Sequence, residues 1–415
     1  MRIAIIGTGI AGLTCAHLLS RRNEVTVFEA AQRVGGHTHT VDVQWQGQHY
    51  AVDTGFIVFN DWTYPHFIRL LTQLGVAWRP TEMSFSVHDP RTGFEYNGHD
   101  LDTLFAQRRN LLSAGFWGML RDVLRFNRQA PADLAQQRID GTTTLGNYLQ
   151  AQGYGRRFID HYIVPMGAAI WSMSPTGMLD FPLQFFVRFC QNHGLLSVNH
   201  RPQWQVIEGG SRAYLTPLCK PFAERIRLGC PVQQVKRDVS GVTVTWPGSS
   251  ERFDKVVFAC HSDQALALLA PPSEAERAIL GAIRYASNDV VLHTDSRLLP
   301  QRRKAWASWN YRLGDNAQAP AALTYNMNIL QGIQAPTTFC VSLNQTALVD
   351  PTQVLARFDY AHPQYSLAAL AAQARQHELQ GPLHSYYCGA YWANGFHEDG
   401  VLSALCVARH FGEQL

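Results

Sequence analysis

Gly7, Gly9 and Gly12 punctuate the run Gly7-Thr8-Gly9-Ile10-Ala11-Gly12, a spacing suited to holding a pyrophosphate. The first glycine allows a tight turn, the second lets the main chain approach phosphate oxygens, and the third lets a helix lie close on a strand. Free N–H groups at the helix start, around Ile10 and Ala11, would then face the anion with the helix dipole behind them. Glu29 follows 22 residues after Gly7, where a carboxylate accepts both hydroxyls of a ribose. The same acid repels a 2′-phosphate, which disfavours NADP and leaves NAD or FAD. Directly after it come Ala30, Arg33, Gly35, Gly36, His37 and Thr38. A second glycine pair there lets the chain fold back across a diphosphate and a flavin, which favours FAD.

These residues need a strand–helix–strand unit to place them. Residues 2–6 are an apolar run that reads as a buried parallel strand. Residues 10–20 carry Ile10, Leu13, Ala16 and Leu19 at helical spacing, and Glu24-Val25-Thr26-Val27-Phe28-Glu29 reads as the second strand. Glycines interrupt the apolar amino terminus and a strand follows at once, so a βαβ unit is expected there, not an export signal.

The stretch from Glu29 to Gly36, E-x-x-x-R-x-G-G, resembles the signature of the flavin-containing amine oxidase superfamily. Further matches extend the likeness along the chain. His49–Phe59 is similar to a segment whose backbone at Thr54, Gly55 and Phe56 borders the flavin. Gly229–Asp238 looks like the strand whose valine, here Val232, pairs with adenine. Asp254–Cys260 looks like the strand that returns to the cofactor domain. Tyr386–Phe411 resembles the closing motif, in which a loop led by Gly389 enters a helix facing the flavin pyrimidine. By resemblance, His397, Glu398 and Val401 make those contacts, and a positive helix end there stabilises a reduced flavin. The likeness covers essentially the whole chain and implies non-covalent FAD.

The resemblance has two gaps. Amine oxidases of this superfamily carry a lysine near flavin N5, and Asn288 stands at the best-matching position. They also flank the amine with tyrosines, one of which is matched by Phe396. Both changes favour a neutral, apolar substrate, with Asn288, Trp309, Trp392 and Phe396 as substrate-facing candidates; no general base is identified. The string as a whole looks closest to bacterial NAD/FAD-binding flavoproteins associated with cyclopropane-fatty-acid-synthase-like methyltransferases. That association implies a lipid acyl substrate and a lipid methyltransferase as partner.

The implied fold is α/β: a discontinuous Rossmann-like FAD-binding domain from 1–85, 202–285 and 382–415, with an inserted α+β substrate domain from 86–201 and 286–381. Leu112, Phe116, Met119, Leu120 and Val123 recur at helical spacing in the first insertion, with Arg121, Arg125 and Arg128 on another face. That basic face is either a solvated cap or a surface resting on anionic lipid. Phe181, Phe185, Phe186 and Phe189 supply a core or the wall of a substrate tunnel.

Composition narrows the classes. A net charge of +3 over 415 residues gives no concentrated basic face for nucleic acid. The eight cysteines have no C-x-x-C spacing and the 17 histidines no H-E-x-x-H spacing, so no metal is expected. No apolar run approaches the roughly 20 residues that span a bilayer. A cytoplasmic protein is expected, peripheral at most to the inner face of the membrane. The expected reaction is hydride removal from an acyl carbon, by desaturation, oxidation or double-bond isomerisation. The alternatives are amine oxidation and a non-catalytic, flavin-bearing accessory role.

Overall fold

The computed structural model describes residues 1–197 and 199–415. Arg2–Ile6, Ile10–Leu19 and Glu24–Phe28 form the expected strand, helix and strand. The two strands are parallel, with Ile5 opposite Val27. Three further strands complete a five-stranded parallel sheet in the order Ile226–Arg227, Glu24–Phe28, Arg2–Ile6, Lys255–Phe258 and Ser385–Tyr387. Alternate residues feed two cores on opposite faces. Ile3, Ile5, Val25, Val27 and Val257 enter one, and Ala4, Ile6, Phe28, Val256 and Phe258 the other. Burial on both sides is why these strands are apolar without alternation.

Helix Ile10–Leu19 covers the first face together with helix His397–Arg409, where Ala404, Leu405 and Val407 join the same core. The second face carries a sheet of Ser249–Phe253, Gly241–Trp246, Gln234–Asp238 and Leu269–Ala270. Val232 is not on that sheet, contrary to the expectation. Pro231 has no N–H to give a ladder, and pairing begins at Gln234. A helix over Glu274–Leu280 starts at Ser273, whose side chain caps it.

A seven-stranded sheet runs Val354–Gln364, Arg284–His293, Cys340–Leu343, Leu323–Asn326, Trp309–Arg312, Phe85–Asp89, Phe94–Asn97. It shares one core with the helices between residues 101 and 192: Val290, Tyr311 and Leu323 meet Phe116, Phe126 and Phe158. Phe181, Phe186 and Phe189 are buried in this core and Phe185 packs against it. The long helix Ala114–Ala135 is capped by Ser113, so Leu112 falls outside the expected apolar stripe. Among the described residues no helix is long and apolar enough to cross a membrane.

Candidate active site

The loops at the carboxyl ends of the parallel strands, the starts of helices Ile10–Leu19 and His397–Arg409, and strand Val354–Gln364 enclose a cavity of about 710 Å³. That lies within the range of ligand sites. Gly7, Gly9, Ile10, Ala11, Glu29 and Ala30 line it where the parallel sheet ends. Gly9 precedes the helix without any side-chain cap, so the first N–H groups of the helix are open to an anion. Glu29 is held in place by the N–H of Thr8 at 3.0 Å, the Thr8 hydroxyl, and the N–H of Ala31 at 2.9 Å.

Gly36, His37, Gly55 and Phe56 continue the wall, as do Val232 and Gly389. Gly36 has φ of +56°, and a Cβ there would meet the Gly9 Cα at 3.0 Å, so the two glycine loops touch back to back. On the side of the seven-stranded sheet, Trp309, Phe396 and His397 line the cavity. The His397 ring stacks on Phe56 with centroids 3.5 Å apart.

Other expected site residues stand behind this wall and act on it indirectly. Gly12 packs against Gly7. Arg33 donates to the carbonyls of Thr38 at 3.0 Å and Gly36 at 2.8 Å, tying the second glycine loop. The N–H of Gly35 donates to the Thr8 carbonyl at 3.1 Å. Thr38 shares hydrogen bonds with Tyr214 and with His397 Nε2 at 3.0 Å, and Thr54 bonds the Tyr360 hydroxyl at 2.9 Å.

Four placements differ from expectation. The Glu398 carboxylate accepts from the N–H groups of His66 at 3.0 Å and Phe67 at 2.8 Å, so it caps helix Pro65–Leu74. Val401 is in the core between helices. Trp392 turns into the core of the parallel sheet, and its neighbour Tyr391 takes the cavity wall. Asn288 is fully buried and does not line the cavity; its Oδ1 accepts from Asn344 Nδ2 at 3.0 Å. His362, on the paired strand Val354–Gln364, is at the wall in its place.

Sequence reasoning missed Trp171, Ser172, Tyr325, His362 and Tyr365, all of which line the cavity. Ser172 Oγ lies 3.0 Å from His362 Nδ1, and Asn288 Nδ2 lies 3.4 Å from the same atom. With an amide donor on Nδ1, the imidazole carries its proton on Nε2 and serves as a hydrogen-bond donor, not a base. Burial lowers His362 to about 4, His397 to about 3 and His37 well below its usual range, so these rings are neutral. Ser172 follows helix Val164–Trp171 with φ of +54°, a conformation that costs a non-glycine residue about 1 kcal/mol or more. Ser172→Gly is therefore expected to raise the thermal midpoint and, by freeing His362, to slow substrate-dependent flavin reduction. An unchanged rate would mark the pair as structural.

The cradle fits FAD on three counts. A helix start without a cap faces the phosphate position, an anchored carboxylate faces the ribose, and glycines keep the floor clear. In addition, Trp309 Nε1 and the hydroxyls of Tyr365 and Tyr391 are buried at the wall without partners, as expected where a polar ligand completes the site. Fold and cradle together define a flavoprotein oxidoreductase of the α/β class. The family model for flavin containing amine oxidoreductase matches residues 10–322, and the chain belongs to that family.

Solved structures share the fold over its whole length. Cyclohexylamine oxidase from Brevibacterium oxydans IH-35A is 16% identical with a TM-score of 0.66, covering 99% of each chain. Putrescine oxidase bound to putrescine is 16% identical with a TM-score of 0.69, also covering 99% of each. A CLA-producing fatty acid isomerase from P. acnes is 14% identical with a TM-score of 0.67, covering 99% of this chain and 98% of that one. No curated protein matches the sequence significantly. The protein is an FAD-dependent oxidoreductase of the amine oxidase family, its cofactor held by the non-covalent contacts just described.

Proposed function

We propose that the protein removes hydride from a carbon of a neutral, apolar substrate, and that this substrate is a lipid acyl chain. One observation carries the reading. The cavity wall beyond the glycine loops is built from Ile57, Ile170, Trp171, Trp309, Leu330 and Phe396, and the one carboxylate on the lining is Glu29, at the ribose position. A cationic amine would have to shed its hydration against this wall with no counter-charge in return, a large cost. A methylene chain meets no such cost and gains about 0.8 kcal/mol for each buried CH₂.

When bound, FAD supplies a two-electron, hydride-accepting centre. The residues of the chain do the rest. The aromatic wall orients the acyl chain and keeps water out, and the Nε2–H of His362 offers a single donor to hold a polar group. Loss of hydride from one carbon and a proton from its neighbour leaves a double bond; return of the hydride to another carbon moves one. The likeness to a fatty acid isomerase supports the second variant as readily as the first. A lipid methyltransferase acting on unsaturated chains is the partner that such a product implies.

Anaerobic mixing of the FAD-loaded protein with dispersed unsaturated phospholipid or fatty acid is expected to bleach the flavin, or to shift the double bond by mass spectrometry. Cyclohexylamine and putrescine are expected to do neither. Bleaching by amines alone would overturn the substrate class. A flavin unresponsive to both would replace the enzyme with an accessory protein.

A further inference from the structure

We infer that the exposed face of helix Ala114–Ala135, with the turn before it, is a docking surface for an anionic lipid bilayer. The helix buries Phe116, Met119, Phe126 and Ala130. Its opposite side presents Trp117, Arg121, Leu124 and Arg128, spaced by four, three and four residues and so aligned along one stripe. Trp117 is 49% exposed and Leu124 47%. The preceding turn, Arg108–Leu112, adds Leu111 at 45% and Leu112 at 92%. Among the described residues this is the one place where exposed large apolar side chains recur within a few residues of one another.

The charge around these side chains selects the partner. Residues 103–132 hold five arginines and one aspartate, a net charge of +4 in a chain whose total is +3. The aspartate, Asp122, is buried, so the outer stripe carries no carboxylate. Arg121 reaches into solvent with its side chain 79% exposed, and Arg128 makes no ion pair among the described residues. A protein partner of opposite charge would satisfy the arginines alone. A bilayer also satisfies the apolar side chains: leucines enter the acyl boundary, an indole sits at headgroup level, and guanidinium groups bind phosphates.

Trp117 is preset for this position. Its Nε1 donates to the Leu111 carbonyl at 2.9 Å, and its ring lies against Phe105 with centroids 5.5 Å apart. The indole and the turn bearing Leu111 and Leu112 are therefore one fixed unit, which binds with less loss of side-chain freedom than a flexible loop. This inference does not depend on the acyl substrate proposed above; a membrane enzyme of any substrate class could dock in this way.

Sedimentation of the FAD-loaded protein with vesicles tests it. Vesicles of equal parts phosphatidylglycerol and phosphatidylcholine are expected to carry the protein down, and pure phosphatidylcholine to bind it about tenfold more weakly or less. High salt should weaken the first interaction. R121E/R128E and L112S/W117S are each expected to lose about tenfold in binding while keeping their yellow colour and their turnover of detergent-dispersed substrate. Equal binding to both vesicle types, or unchanged binding by both variants, would overturn the inference. So would a salt-sensitive dimer that the variants abolish in the absence of vesicle binding, because the surface would then serve a second copy of the chain.

Discussion

Replacing Gly12 with valine is expected to give a protein that carries no FAD and unfolds at a much lower temperature. A Cβ at position 12 would lie 2.1 Å from the Gly7 carbonyl oxygen and 3.0 Å from the Ala259 Cβ. Neither neighbour is the end of a flexible side chain, so helix Ile10–Leu19 has to lift from the sheet. Overpacking of this kind costs about 3 kcal/mol or more. Gly9→Ala is the informative control. A Cβ there meets nothing within 4 Å and the backbone φ is −65°, so alanine fits without strain. Its methyl group instead occupies space left for the diphosphate. Gly9→Ala should keep its thermal midpoint as apoprotein and lose roughly a hundredfold in FAD affinity, about 3 kcal/mol. Visible absorbance per protein and a melting curve separate the two effects. Equal loss of stability in both variants would show that position 9 is structural.

Acid is expected to destabilise the protein steeply between about pH 6.5 and 4. His362, His193 and His293 are each lowered to about 4 by burial, and His397 to about 3. A depressed histidine stays neutral in the folded state while the unfolded chain takes up a proton, so stability is present above the unfolded value near 6.5 and is lost as pH falls. Each fully buried ring contributes on the order of 3 kcal/mol across that interval. Asp53 and Asp399 act in the opposite direction. Burial raises each to about 6, so their protonated forms favour the folded state at low pH and this contribution fades as pH rises through 6. Histidines outnumber the two acids, and the net slope follows them. Chemical denaturation at a series of pH values measures it; a flat profile from pH 7 to 4.5 would contradict the assignment of neutral rings. His362→Gln, which cannot take up a proton, should flatten the profile by one residue's share.

The cofactor cradle was legible because it is local. A strand, a glycine loop, a helix and an acid within 30 residues fix one another's geometry, and Gly7, Gly9 and Glu29 reach the cavity as their spacing implies. The substrate wall was not legible, because it depends on pairing between distant strands. Asn288 and His362 are 74 residues apart, and only the register that sets Asn288 opposite Tyr360 reveals which of them reaches the wall. Glu398 illustrates a second ambiguity. An acid in the first turn of a helix reads the same whether it serves a cofactor or caps another helix, and its partners, His66 and Phe67, lie more than 300 residues earlier. Trp171 and Ser172 carry no sequence signal at all, since the end of an apolar helix resembles any other core segment.

The order of the parallel sheet bears on how the molecule is made. Ile5 pairs with Val257, and Val257 with Tyr386, so neighbours in the finished sheet are synthesised far apart in time. The first strand, helix and second strand leave the ribosome with one edge bare, and helix Ile10–Leu19 waits for His397–Arg409 to cover it. Such non-local closure slows folding and leaves sticky intermediates exposed during translation. Nascent chains stalled anywhere before residue 385 would be clients for chaperones, and the yield of native protein would depend on the supply of chaperones as much as on the supply of flavin.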